Sequence, residues 1–240
     1  MNQEQDYDAK GNPIYRHTQE SDDSRVASSC RYLDEITAHL ENHIGDVHLV
    51  FHEIISEFVH IDVLWIKPTA DYPYNVLITS GMSDKPMHLP DGIEGKENWQ
   101  YGELMVILPA DWKISDEDFE DDKNYWPVHF LKLIARLPHQ YNTWVGYGHT
   151  IPNGEEAYPF AENTRLGCMM VLPPYVSFNE EFLQFKAEDG NLINFYALVP
   201  LYKEEMEYKM TEGADALLDL FDEYNIDEVI TLDRPNVCLS

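Results

Sequence analysis

The sequence predicts an α+β fold, in which a mixed and mostly antiparallel sheet packs against helices. The predicted elements run in the order helix, strands, helix, strands, helix, and the strands follow one another without helical crossovers. The chain has 240 residues, of which 44% are hydrophobic and 12% aromatic, so it is too apolar for a disordered acidic chain. We therefore predict one domain over residues 25–230, with a loose polar arm (1–24) before it and a tail (231–240) after it.

The helices are predicted from apolar residues that recur at intervals of three and four. The first spans residues 25–44, with Ser24 as its cap. The second has Pro127 in its first turn, where a missing N–H costs no hydrogen bond, and ends at Pro138. Helical sequence over residues 203–224 closes the chain.

The strands are predicted where apolar and polar residues alternate, or where short apolar runs end at turn residues. These runs are 47–51, 60–66, 75–80, 101–108, 165–172 and 192–199. Residues 81–98 and 109–124 have the composition of loops, and the second of these loops is acidic.

The charge of the chain excludes several classes of function. The sequence contains 44 Asp and Glu against 16 Lys and Arg, which gives a formal net charge of −28. A surface this acidic repels nucleic-acid backbones and anionic membranes, so we expect neither as a partner. Three scattered cysteines, no signal-peptide core and no apolar run of membrane-spanning length predict a cytoplasmic protein without disulfides.

Half of the net charge lies in two short windows. Residues 111–122 carry seven acids and one lysine, net −6, and residues 203–228 carry ten acids and two lysines, net −8. In the second window, acids lie opposite an apolar arc of the helix. Each window is either a solvated surface or an anionic patch for a basic protein partner. The predicted partner-binding residues are Asp111, Asp116, Glu117, Asp118, Glu120, Asp121, Asp122, Asp215, Asp219, Asp222 and Glu223.

Enzyme motifs are incomplete in this sequence. Residues 81–85 have Lys85 where the nucleophile elbow G-x-S-x-G requires glycine. Residues 92–97 have Glu97 where a phosphate loop requires serine or threonine. The first acidic window lacks the EF-hand pattern, and no cysteine pair has C-x-x-C spacing. We therefore assign no catalytic residue, no metal ligand and no cofactor.

The histidines leave a metal-dependent or hydrolytic alternative open. His39 and His43 lie one helical turn apart, and His60 and Asp62 share one face of a strand. The second pair is either a metal or acid–base pair, or a hydrogen-bonded pair at the sheet face. An enzyme would require convergence in one cleft of His60, Asp62, Ser83, Asp84 and His149.

An ordered series of short motifs between about residues 45 and 224 resembles the suppressor-of-fused family. The resemblance rests on residues 59–63, 77–87, 103–104, 108–112, 126–127, 133–136, 143–144, 148–149, 198–205, 213 and 217–218. The motif residues singled out are His60, Asp62, Gly81, Ser83, Asp84, Trp126, Pro127, His149 and Pro200. Their role is either folding or contact with a partner.

This resemblance implies an α/β fold with a mixed sheet and no established catalytic residues. Animal members bind and restrain Gli-type transcription factors, whereas this chain resembles the shorter bacterial type, which lacks the C-terminal region that helps to enclose the animal proteins' ligand. For the bacterial type, the resemblance implies an immunity protein that neutralises a cognate toxin by direct binding. We expect a monomer or a small homo-oligomer. The alternatives are a hydrolase that uses His60, Asp62 and Ser83, and a scaffold that binds a peptide by strand addition.

Overall fold

A mixed eight-stranded sheet is the centre of the computed structural model, in which residues 6–21, 29–54, 56–174 and 180–239 are described. The strands in these ranges are β1 (Asp6–Tyr7), β2 (Pro13–Ile14), β3 (Val47–Phe51), β4 (Asp62–Ile66), β5 (Tyr74–Ser80), β6 (Tyr101–Pro109), β7 (Thr150–Pro152), β8 (Cys168–Leu172), β9 (Gln184–Lys186) and β10 (Leu192–Leu201). The helices are α1 (Leu33–His43), α2 (Asp122–Gln140), α3 (Lys203–Glu212) and α4 (Ala214–Tyr224).

The large sheet has the mostly antiparallel character that the sequence predicts. Its strand order is β3-β4-β5-β6-β10-β8-β7, and β9 pairs with β10. Strands β6 and β10 run parallel, and every other pairing between its named strands is antiparallel. The parallel pair is possible because a long connection that contains α2 separates the two strands. The predicted α+β fold is confirmed.

Successive residues of a strand point to opposite sides of the sheet. Both faces of this sheet carry buried apolar residues, and both pack against helices. One face packs against α2 through residues such as Val63 and Leu104. The other face packs against α1 around Leu64 and Ile78. At the β8 end, that second face packs against α3 and α4. No helix in the described ranges combines the length and the apolar character that crossing a bilayer requires.

The first helix begins later than the sequence predicts. Its N-cap residue is Tyr32 rather than Ser24, and residues 24–28 lie outside the described ranges. Tertiary partners hold the preceding residues outside the helix, since Arg31 donates its backbone N–H to Asp84 Oδ1 at 2.9 Å. The Tyr32 hydroxyl lies 2.7 Å from Asp189 Oδ2.

The second helix is longer than predicted at both ends. It begins with Asp121 as N-cap residue, whose side chain accepts the Lys123 N–H, so the last residues of the predicted acidic loop are helical. Pro127 therefore lies beyond the first turn, and Pro138 does not end the helix. Asn163 Nδ2 donates to the Lys123 carbonyl at 3.2 Å, which is the carbonyl that Pro127 leaves without its helical donor.

The two ends of the chain are more structured than the sequence predicts. Gly213, with a φ of +99°, divides the last predicted helix into α3 and α4. The described part of the polar arm contains the β1–β2 hairpin, and Ala9 N donates to the Met210 carbonyl of α3 at 3.1 Å. Arg234 and Val237, in the segment predicted as a tail, are buried. The short strands β1, β2, β7 and β9 were not predicted, because two or three residues carry no measurable alternation.

Candidate functional site

A buried glutamate organises the turn that follows β5. Glu103 of β6 is fully buried, and its carboxylate accepts hydrogen bonds from Thr79 Oγ1 (2.6 Å), Gly81 N (2.9 Å), Ser83 N (3.0 Å) and Ser83 Oγ (2.5 Å). Burial raises the pKa of Glu103, and these four donors oppose that rise. The Ser83 hydroxyl is thus committed to Glu103 as a structural donor.

Gly81 is required by both its backbone conformation and its packing. Its φ of +121° is one that L residues rarely adopt, and a Cβ at this position would overlap the carbonyl oxygen of His60. Burial raises the pKa of the neighbouring Asp84 to about 7, although Asp84 also accepts the Arg31 N–H. The turn therefore connects the start of α1 with the segment before β4.

A second polar cluster lies at the start of β4. Asp62 Oδ1 is 2.9 Å from His60 Nε2, and Asp62 Oδ2 is 2.9 Å from His52 Nδ1. Asp62 Oδ1 also accepts the Glu53 N–H at 3.0 Å. On the other side of the His60 ring, Nδ1 is 2.8 Å from Ser56 Oγ, which donates to Glu53 Oε2 at 2.7 Å. The predicted pair on one strand face is therefore part of a larger hydrogen-bonded network.

Two cationic side chains of α2 lie beside this network. Arg136 forms an ion pair with Glu53, so Glu53 is held in its carboxylate form. Burial lowers the pKa of Lys132, and the negative charge of Asp62 opposes that decrease.

Cys30 joins the cluster from the segment before α1. Its Sγ lies 2.9 Å from the Ser80 carbonyl oxygen, and the ligand atoms of Cys30, His60 and Asp62 all lie within 4.8 Å of one another. Burial raises the pKa of the Cys30 thiol to about 12. The sequence did not single out Cys30, because it has no motif spacing and lies thirty residues before His60.

The five residues that an enzyme would require do not all converge in one cleft. His60 and Asp62 are in contact, whereas the Ser83 hydroxyl is turned toward the buried glutamate. His149 lies apart from them, with its ring centroid 4.2 Å from that of Trp144 in an edge-on contact. Among the described residues, this set therefore provides no nucleophile–base pair.

The remaining motif residues contribute to packing. Trp126 and Pro127 are buried in α2, and the Trp126 ring stacks on Phe160 with centroids 5.0 Å apart. Pro200 of β10 offers its carbonyl to Arg234 Nη2 at 2.8 Å. These contacts favour folding, rather than partner contact, as the role of these residues.

The histidine pair of α1 belongs to an aromatic cluster. The His39 and His43 ring centroids are 4.5 Å apart, and His39 stacks on Phe195 with centroids 5.2 Å apart. His39 Nε2 lies 3.0 Å from the Phe182 carbonyl oxygen. One ring nitrogen of His39 is therefore already used, which disfavours the metal site considered from the sequence.

The acidic windows form two exposed surfaces. The loop patch consists of the exposed Asp111, Asp116, Glu117, Glu120, Asp121 and Asp122. The helix patch consists of Asp215, Asp219, Asp222 and Glu223, which are exposed opposite the buried Leu217 and Phe221 of α4. In the described part of the chain, no Lys, Arg or His side chain forms an ion pair with any of these ten carboxylates.

Some acids of the two windows have internal roles instead. Asp118 accepts a hydrogen bond from Ser115 Oγ at 2.7 Å and is half-buried. Glu205, in the second window, is fully buried and pairs with Arg234 at 2.5 Å, and Glu228 is also buried. The sequence count therefore overstates the charge that the second window offers to a partner.

The two patches lie near the same end of β6. The loop patch begins just after β6, and the chain that leaves α4 forms a bridge between Val229 and Ile107 of β6. Ile230 N donates to the Ile107 carbonyl at 2.8 Å. Asp111 and Glu223 are therefore each within about 20 Å of this bridge along the chain. This proximity could not be predicted from the sequence, because it depends on the return of the chain to β6.

Comparisons with solved structures identify the same fold in other proteins. A SUFU (suppressor of fused protein) homologue from Neisseria gonorrhoeae FA 1090 aligns with a TM-score of 0.61 at 18% identity, over 87% of this chain and 98% of that chain. The structure of the Sufu–Fu complex aligns with a TM-score of 0.58 at 14% identity, over 85% of this chain and 90% of that chain. Drosophila Suppressor of Fused aligns with a TM-score of 0.55 at 13% identity, over 85% of this chain and 49% of that chain.

Sequence comparisons identify the family. The uncharacterized protein UU111 of Ureaplasma parvum serovar 3 is 28% identical over 179 residues, which are 73% of this chain and 80% of that protein. The family model described as suppressor of fused protein (SUFU) matches residues 58–235, the range that contains both acidic patches and most of the two polar clusters. The chain therefore belongs to the suppressor of fused protein family.

Proposed function

We propose that this chain is a non-catalytic cytoplasmic binding protein of the immunity type, which neutralises a basic toxin domain by direct contact. The observation that carries the proposal is the set of ten exposed carboxylates of the loop patch and the helix patch, which have no cationic partner in the described residues. A role in protein binding is also supported by the Sufu of the Sufu–Fu complex, which has this fold and a protein partner.

Electrostatics explains why such a surface suits a basic partner. Charges of one sign near one end of the molecule raise the rate of productive encounters with an oppositely charged protein. Exposed charges are screened beyond about 8 Å at physiological ionic strength, so the advantage should shrink as salt is added. The buried clusters of the molecule do not share this property, because Asp62 already accepts the Glu53 N–H and Glu103 accepts the Ser83 hydroxyl.

The first experiment tests neutralisation. If the gene beside this one encodes a large secreted protein, its C-terminal domain is expressed in a host with and without this chain. We expect growth arrest by the domain alone and rescue by co-expression, together with a complex whose association rate falls as salt increases. A toxic domain that is not neutralised, and does not bind, would refute the proposal for that pair.

The second experiment separates the effect of where the negative charge lies from the effect of the total net charge. One variant reverses four acids of the loop patch to lysine: Asp116, Glu117, Glu120 and Asp122. It spares Asp118 and Asp121, whose side chains accept hydrogen bonds that shape the start of α2. The matched control reverses four exposed acids elsewhere to lysine: Glu41, Asp46, Asp71 and Glu94.

The two variants have the same net charge, so only the position of the charge differs between them. We expect the loop-patch variant to lose at least about 10-fold in association rate at low salt, and the control to lose much less. Equal losses would show that the loop patch is not the interface. Reversal of the four helix-patch acids extends the same comparison to α4.

Strand addition is the second candidate, because β3 is a terminal strand of the sheet. No further strand among the described residues pairs with its outer edge, and Leu49 in this strand is 45% exposed. Hydrogen exchange of the complex separates the two candidates. New protection of β3 amides would favour strand addition, whereas protection of residues 111–122 without protection of β3 would favour the electrostatic interface.

A further inference from the structure

Three buried side chains from two separate segments present metal-ligand atoms to one another. Cys30 is 7% exposed, His60 9% and Asp62 2%, and their ligand atoms all lie within 4.8 Å of one another. Thiolate, imidazole and carboxylate are the ligands that zinc prefers, at about 2.0–2.3 Å from the ion. In a tetrahedral site, such ligand atoms are about 3.3–3.8 Å apart, so only small side-chain shifts separate this cluster from a metal site.

The hydrogen bonds around His60 indicate which ring nitrogen is free. Glu53 is a carboxylate because it pairs with Arg136, so it accepts the single proton of the Ser56 hydroxyl at 2.7 Å. Ser56 Oγ must then accept from His60 Nδ1, which lies 2.8 Å away.

A neutral His60 therefore points its Nε2 lone pair at Asp62 Oδ1, only 2.9 Å away. Two acceptors at this distance require either a proton or a metal ion between them. The hydrogen bond between His60 and Ser56, supported by Glu53, is the type of contact that orients histidine ligands in metal sites.

A third observation comes from Ser80, the cross-strand partner of Asp62. Ser80 is fully buried, and its Oγ has no hydrogen-bond partner in the described part of the chain. Opposite residues of paired strands project to the same face, so the Ser80 side chain lies on the face of the sheet that carries Asp62. An unpaired hydroxyl in a buried polar site indicates a missing polar neighbour, such as a metal-bound water.

We propose that Cys30, His60 and Asp62 bind one divalent transition-metal ion of the zinc type. Binding replaces the S–H bond of Cys30 with a metal–sulfur bond and displaces the proton between His60 and Asp62, and both protons pass to solvent, without oxidation or reduction. The ion would link the segment before α1 to the start of β4, two parts of the chain that are far apart in sequence. His52, whose side chain is exposed, contacts the second carboxylate oxygen of Asp62 and so connects the cluster with the surface.

Burial explains why the cysteine needs the ion to ionise. It raises the pKa of Cys30 to about 12, and the negative charges of Asp84 and Glu103 add to this rise. A bound dication reverses this preference, because a coordinating thiol is deprotonated outright. Proton release on metal addition is therefore expected.

The test uses the full chain, stripped with a chelator and titrated with Co²⁺ and then Zn²⁺. The wild type should bind one Co²⁺ with a sulfur-to-metal charge-transfer band, which Zn²⁺ should abolish by displacement. Cys30→Ser should lack this band. The matched control Cys238→Ser should keep it, because Cys238 lies outside the cluster.

Folding is monitored for every variant by circular dichroism, and two further readouts do not depend on Cys30→Ser. Zn²⁺ should raise the thermal midpoint of the wild type, and Ser56→Ala should weaken Zn²⁺ binding by about 10–100-fold while keeping the one-to-one stoichiometry. No charge-transfer band in the wild type, or an unchanged band in folded Cys30→Ser, would overturn the proposal. In that case, a hydrogen bond between His60 and Asp62 would account for the cluster.

Discussion

Gly81 is the residue at which the β5 turn, the buried Glu103 and the segment before β4 meet. Its backbone N–H donates to Glu103, and its φ is +121°. A Cβ at position 81 would overlap the carbonyl oxygen of His60. The sequence predicts a turn here from glycine alone. It does not predict the close contact between Gly81 and His60, because that contact depends on the pairing of β4 with β5.

Three glycine-to-alanine variants separate conformational strain from steric overlap. Gly92→Ala should be nearly neutral, because its Cβ would meet nothing within 4 Å. Gly148→Ala, with open space but a φ of +78°, should cost about 1–2 kcal/mol in the free energy of unfolding. Gly81→Ala should cost clearly more, because overlap adds to strain, and denaturant unfolding measures all three. Equal losses at Gly81 and Gly148 would show that the contact with His60 is unimportant.

His139 gives a residue-scale prediction for the dependence of stability on pH. Burial lowers its pKa from 6.5 to about 4, with Lys85 and His88 as smaller contributions, although Nε2 lies 2.8 Å from the Met82 carbonyl oxygen. Between these values the unfolded chain binds the proton and the native state does not, so stability falls as pH decreases from about 6.5 to 4. The loss should reach about 3 kcal/mol at the acidic end.

His139→Gln should flatten this part of the pH profile in denaturant unfolding. His129→Gln, an exposed change on the same helix, is the control and should leave the profile unchanged. A second contribution of the same sign should remain in both variants, because burial also lowers the pKa of His149 to about 4. A His139→Gln profile as steep as that of the wild type would contradict the assignment.

At the element scale, α2 shows how a helix can contain two prolines. The helical period predicts its buried face, and Val128, Leu131 and Ile134 are indeed buried. The position of its start was mispredicted, because Pro127 is an equally good first-turn residue in isolation. The additional turn depends on the Asp121 cap and on Asn163, which lies 40 residues from Lys123 in sequence.

A double-mutant cycle tests whether Asn163 compensates for Pro127. Asn163→Ala should cost about 0.5–1 kcal/mol in the wild type, because the Lys123 carbonyl loses its donor. In a Pro127→Ala background the cost should nearly vanish, since the substituted residue has a backbone N–H that can form the helical bond to the Lys123 carbonyl. Denaturant unfolding of the four proteins measures the coupling, and additive costs would contradict the compensation.

The sequence alone predicts which residues form the acidic face of α4. A period of 3.6 residues places Asp215, Asp219, Asp222 and Glu223 opposite Leu217 and Phe221, and the structure has this arrangement. Six acids of the first acidic window are exposed in the loop patch, but Asp118 and Asp121 of that window accept hydrogen bonds that shape the start of α2. Those hydrogen bonds depend on the loop conformation, for which no local period exists.

At the scale of the whole molecule, the end of the described chain is anchored by a buried ion pair. Arg234 Nη1 and Nη2 donate to the two oxygens of Glu205 at 2.7 and 2.5 Å. Nη2 also donates to the Pro200 carbonyl, and the Tyr202 hydroxyl donates to the Arg234 carbonyl at 2.7 Å. The segment predicted as a tail thus holds the start of α3 against β10.

Arg234→Ala should lower the free energy of unfolding by about 3–5 kcal/mol, because it leaves the Glu205 carboxylate buried without its partner. The matched control is Lys123→Ala, which breaks an exposed pair with Glu162 and should cost less than about 1 kcal/mol. Urea unfolding compares the two variants. Similar losses would mean that the buried pair contributes no more than a surface pair.

The sequence by itself determined the class of fold, the faces of its long strands and helices, the strong negative charge and the pairing of His60 with Asp62. These features depend on spacings of two to four residues, which local backbone geometry converts directly into a shared face. Only the tertiary structure decided which acids are buried, that both patches adjoin β6, and that Cys30 meets His60 and Asp62. The reason is that desolvation and the approach of distant segments depend on strand pairing across the whole sheet, and no local pattern encodes them.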